Sequence, residues 1–122
     1  QLAGLVIDCQ AADLDKAAAF WSDALGLEAV CDPRSDNSKY RRLETESCEL
    51  DIEVKKVEHS SRVHLVIETD DVEAEVARLE RLGAKRVSDV HSWVIMEAPT
   101  GHRFCVVKRF TAKFEQSANT WD

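Results

Sequence analysis

Val63, Leu65 and Ile67 alternate with His64, Val66 and Glu68, which is the period-2 pattern of a half-buried strand. The β-branched content agrees. The run then meets Asp70-Asp71, after which Val72, Val76, Leu79 and Leu82 recur at helical spacing. The stretch therefore predicts a strand, an acidic turn that caps a helix, and an amphipathic helix over 71–82. Asp70, three residues before Glu73, resembles a capping box with Asp in place of Ser or Thr. Gly83 closes the helix.

The same grammar occurs earlier. Leu5-Val6-Ile7-Asp8-Cys9-Gln10 leads through Asp13, a plausible N-cap, into a helix over 13–25 with apolar positions Leu14, Ala18, Trp21 and Leu25, closed by Gly26. A shift of 58 residues puts Leu14 on Val72, Ala18 on Val76 and Trp21 on Leu79, while a shift of 57 matches Leu25-Gly26 to Leu82-Gly83. Such a period indicates two copies of one supersecondary unit. It places Val6 where His64 stands in the second copy. Further strands are predicted over 27–31, 39–46, 48–57, 85–90, 92–97 and 103–108. Each half thus reads strand, helix, three strands, an α+β pattern. The modules cover 1–57 and 61–109, and residues 58–61 link them.

Over 48–57, Cys48, Leu50, Ile52 and Val54 face one way and Glu49, Asp51 and Glu53 the other. Such a carboxylate row is ordinarily a solvated sheet face; the alternative is a polar pocket lining. The tail, 110–122, carries Phe110, Phe114 and Trp121, and three aromatics in a tail predict that part of it packs on something.

At 122 residues the chain is one domain or two small modules sharing a core. No apolar run approaches the roughly 20 residues that span a bilayer, and the start shows no signal-peptide pattern, so a cytoplasmic protein without membrane partners is expected. Sixteen basic and 23 acidic residues give a net charge of −7. Arg41-Arg42 and Lys55-Lys56 are pairs rather than a patch, which argues against nucleic acid. Cys9, Cys31, Cys48 and Cys105 form no C-x-x-C pair or zinc-ribbon spacing, so buried free thiols are expected.

Asp-Leu-Asp-(x)4-Phe-Trp-(x)3-Leu-Gly-Leu in the first module resembles the vicinal oxygen chelate superfamily. So do His-Leu-Val-Ile-Glu-Thr-Asp-Asp-Val and Ala-Pro-Thr-Gly-His-Arg-Phe-Cys-Val-Val in the second. The superfamily includes glyoxalase I, extradiol dioxygenases, methylmalonyl-CoA epimerase, fosfomycin-resistance enzymes and bleomycin-binding proteins. The resemblance covers about residues 2–108, and the Phe-Cys-Val-Val ending is most similar to an uncharacterised glyoxalase-like branch. It implies two βαβββ modules forming an open eight-stranded cup with helices outside. It also implies a homodimer, a common arrangement at this length.

Metal-dependent members of that superfamily draw a His from the first strand and a Glu from the last strand of each module. Carried over, the second-module His is His64 and the first-module His falls on Val6, which cannot ligate. The second-module Glu falls on Cys105. The first-module carboxylate falls on Asp51, with Glu49 or Glu53 as register alternatives. A divalent metal is possible on these grounds, with His64, Asp51 and Cys105 as weak candidates, but no cofactor is expected. His64 could also be a pocket histidine or a general base, and Cys105 a small buried hydrophobe. The resemblance makes Asp51, Glu53, His64, Trp93 and Cys105 the candidate ligand pocket. Trp93 reads more readily as core than as a stacking platform. His91 lies near the same hairpin, His102 is expected in solvent, and His59 in the linker has nothing to recommend it.

Two functions follow. One is a small-molecule binding protein with a degenerate metal site. The other is a metal-dependent lyase, isomerase or dioxygenase of the glyoxalase type, which His64 and the carboxylate strand favour and Val6 and Cys105 oppose. A structural or regulatory module working by dimerisation has only the aromatic tail to support it.

Overall fold

The computed structural model describes residues 1–31, 38–45, 50–90, 93–109 and 118. Ten elements follow in order: β1 (Leu2–Gln10), α1 (Leu14–Leu25), β2 (Ala29–Val30), β3 (Tyr40–Leu43), β4 (Asp51–Val57), β5 (Arg62–Thr69), α2 (Val72–Arg81), β6 (Lys85–Val90), β7 (Trp93–Glu97) and β8 (Arg103–Lys108). The eight strands pair in two sets, with the neighbour orders β2-β3-β4-β1 and β5-β8-β7-β6. The α+β class and the repeated strand–helix–three-strand order are as the sequence predicts. The chain divides into two compact units, one Gly4–Val63 and the other Gln1–Ala3 together with the chain from His64 onward.

In the first unit, β1 lies parallel to β4, while β3 pairs antiparallel with β4 and with β2. Leu43 and Val54 are fully buried against Leu14 and Ala18 of α1, with Trp21, Leu27, Ala29 and Ile52 around them. The helix starts at Asp13, whose carboxylate accepts from Lys16 N, and stops at Gly26, whose φ of 68° places it in the left-handed region. Gly4 has a different cause. A Cβ there would lie 2.2 Å from the Asp51 carbonyl oxygen, so only glycine permits this approach of β1 to β4.

In the second unit, β5 runs parallel to β8, and β7 pairs antiparallel with β8 and β6. Val76 and Leu79 of α2 pack on Val94, Met96, Phe104 and Val106, with Ile67 alongside. These positions alternate along their strands, so each strand turns one face to the helix and one away.

Several expectations change. The cap of α2 is Asp71, accepting from Ala74 N, rather than Asp70. Leu25 and Leu82, predicted to end the apolar stripes, are 47% and 65% exposed because each helix ends as its stripe rotates off the sheet. Cys31 is exposed, against the expectation of buried thiols, because β2 is only two residues long and ends before it. Cys48 and Glu49 lie outside the described residues, as do His91 and the tail aromatics. No helix among the described residues is long and apolar enough to cross a membrane.

Candidate functional site

Each unit turns one sheet face to its helix, and the chemistry gathers on the other face. In the second unit that face is built on a row across three strands, where Val66 of β5 stands opposite Cys105 of β8 and Cys105 opposite Ile95 of β7. His64 lies two residues before Val66, Arg103 two before Cys105, and Trp93 two before Ile95, so all share the face. Arg103 is in register with Glu97 and donates to it at 3.1 Å. His64, Trp93, Cys105 and Arg103 are all half-buried. The predicted residues of this unit are therefore brought together, His64 and Cys105 as diagonal neighbours on adjacent strands. Trp93 stands apart from the helix-facing core, contrary to the expectation that it belongs there. At the far end of β5, Glu68 is fully buried and accepts from Gln1 Nε2 at 2.6 Å.

In the first unit the corresponding face carries charge. Val6 is in register with Glu53 and Glu53 with Arg42; Asp8 is in register with Lys55 and Lys55 with Tyr40. The Lys55 ammonium lies 5.2 Å from the centre of the Tyr40 ring, a cation–π distance. Glu53 is 9% exposed, so the solvated-face reading of the row Glu49, Asp51 and Glu53 fails at Glu53, and Asp8 beside it on β1 is 3% exposed. Asp51 shares the face and sits opposite Gly4.

This pairing also alters the counterpart of Cys105. The repeat sets Asp8 on Val66, and Val66 faces Cys105 as Asp8 faces Lys55. The first-unit position equivalent to Cys105 is therefore Lys55, a cation, and not Asp51.

Three residues of the first unit escaped the sequence reading. The Asp8 carboxylate has Arg62 Nε at 3.7 Å and His59 Nε2 at 3.9 Å from its Oδ2. His59 thus has a buried acidic neighbour. Asp8 had a sign of its own, a charge inside the apolar run Leu5-Val6-Ile7, but its partners lie some 50 residues away. On the helix side of β1, burial pushes the Cys9 thiol above its ordinary pKa; a hydrogen bond with Trp21 opposes this and the charge of Asp8 adds to it.

The described residues do not fit a divalent metal. Val6 is a buried aliphatic at one ligand position, and Lys55 is a cation at another. No group of three or more His, Cys, Asp or Glu converges among the described residues, whereas zinc-type sites take three or four protein ligands.

Comparison with known structures agrees with the fold. A hypothetical protein from Bacillus halodurans C-125 is 15% identical, with 90% of this chain and 94% of that one covered and a TM-score of 0.66. Methylmalonyl-CoA epimerase from Mycobacterium tuberculosis is 18% identical over 95% of this chain and 91% of that one, with a TM-score of 0.63. A glyoxalase/bleomycin resistance protein/dioxygenase superfamily member from Vibrio splendidus 12B01 is 15% identical over 87% and 97%, with a TM-score of 0.56. No match is found among curated proteins. The family model described as "Glyoxalase-like domain" matches residues 4–107, and the chain belongs to that family.

Proposed function

We propose that this glyoxalase-like protein binds a small organic molecule without a metal, on the sheet faces turned away from its helices. One observation supports this above the others: the row Val66–Cys105–Ile95 is apolar and half-buried, α2 packs on the opposite face of these strands, and the row is flanked by Trp93, His64 and Arg103. An apolar floor with a few fixed polar groups is the usual make-up of a small-ligand site. His64 is the group on this face suited to hydrogen-bond or exchange a proton with a ligand. The metal-dependent lyase, isomerase or dioxygenase reading is weaker, because Val6 and Lys55 occupy positions it needs for ligands. We further propose a homodimer in a reducing compartment such as the cytoplasm, since Cys9, Cys31 and Cys105 are free thiols.

The test is a thermal-shift screen of small organic molecules, with hits repeated on His64→Ala and Trp93→Ala. A hit whose stabilisation disappears in both variants supports the reading; hits unaffected by either would place binding elsewhere. Elemental analysis of purified protein is expected to find no stoichiometric zinc, nickel or iron. Near-unit metal that is lost in His64→Ala would restore the metalloenzyme reading.

A further inference from the structure

The buried Asp8 carboxylate has two side chains beside it, His59 from the turn between the repeats and Arg62 from the start of β5, and the hydrogen bonds around His59 fit one form of its ring. His59 Nδ1 lies 2.8 Å from the Ser60 carbonyl oxygen, which can only accept, so the proton is on Nδ1. Arg62 Nη2 lies 3.3 Å from His59 Nε2, and a guanidinium can only donate, so Nε2 offers its lone pair. Both contacts describe a neutral ring. A second proton would go on Nε2, where it would point a donor at a donor. Asp8 Oδ2, at 3.9 Å from Nε2 and 3.7 Å from Arg62 Nε, is the acceptor the two then share.

We propose that the cluster is a proton-driven cation exchange: Arg62 holds Asp8 while His59 is neutral, and protonated His59 takes its place. The Arg62 side chain is 45% exposed and can leave for solvent, whereas Asp8 is 3% exposed and cannot. The other charges around the ring are Lys55, in register with Asp8 on β4, and Glu58 in the turn itself. Lys55 disfavours two further cations beside Asp8, which works toward release of one of them. The exchange stays local because the turn is held separately. Gln10 N donates to Ser61 Oγ at 2.9 Å, and Gln10 Nε2 donates to the Glu58 carbonyl at 2.9 Å. Neither contact titrates. Arg62 opens β5, the strand that carries His64, so the released residue is two positions from the candidate site.

Side-chain relaxation of the Arg62 Nε–H in the ¹⁵N-labelled full chain tests this, with the peak assigned by its loss in Arg62→Lys. Its order parameter is expected to fall into the flexible range, below about 0.6, as pH drops from 8 to 5. The Gln10 amide should stay in place throughout. In His59→Gln, which can still accept from Arg62 but cannot gain a proton, the Arg62 Nε–H should remain ordered at both pH values. An Arg62 that stays ordered at pH 5 in the native chain would overturn the proposal. So would an equal loss in His59→Gln, or displacement of the Gln10 amide along with Arg62.

Discussion

Gly4 and Cys9, five residues apart on one strand, show how closely single side chains are held. Replacing Gly4 by Ala sets a methyl group against the Asp51 carbonyl, and backbone cannot yield as a flexible side chain can. Gly4→Ala is expected to cost about 1–3 kcal/mol of stability by denaturant titration. Cys9 leads to a prediction in pH. Burial raises its thiol pKa in the folded state, so the folded chain retains that proton at pH values where the unfolded chain loses it. The associated stability is whole below about pH 8.5 and declines as pH rises beyond that. Denaturation at pH 7.5 and 10 should show a smaller loss in Cys9→Ala than in the native chain. Alkylation at neutral pH should modify exposed Cys31 before Cys9.

At the scale of elements, the helices were legible where local rules decide and misread where packing decides. The Asp13 cap, the stop at Gly26 and the core positions Leu14, Ala18, Val76 and Leu79 followed from spacing and chemistry. The last apolar residue of each stripe did not, because spacing cannot show where the sheet beneath a helix ends. The difference is measurable. Leu79→Ala is expected to destabilise by about 2–5 kcal/mol, whereas Leu82→Gln, two-thirds exposed, should stay within about 0.5 kcal/mol. Asp71→Ala should cost about 1 kcal/mol through its lost cap, and Asp70→Ala much less. The strands predicted over 27–31 and 39–46 are Ala29–Val30 and Tyr40–Leu43, although Glu44 N still donates to the Glu28 carbonyl at 2.8 Å just beyond them.

For the whole molecule, the repeat made the fold readable, since two weak copies of one pattern reinforce each other. The facing of His64, Cys105 and Glu53 came with it. Register did not, and register is what sets Lys55 rather than Asp51 in the place equivalent to Cys105. The Asp8–His59–Arg62 cluster was hidden for the same reason, as it depends on contacts between residues some 50 positions apart. The tail, 110–122, lies outside the described residues but for Ala118, and the sequence makes its own claim there. Phe110, Phe114 and Trp121 would each bury on the order of 150–250 Å² if packed. Exposed together they would make an apolar patch that monomers seldom display. Burial against a second copy satisfies them and agrees with the proposed homodimer. Sedimentation of the full chain is expected to give a dimer, and truncation after Arg109 a monomer. A truncated chain that still dimerises would exclude the tail from the interface, and a monomeric full chain would leave those aromatics to pack on their own sheet.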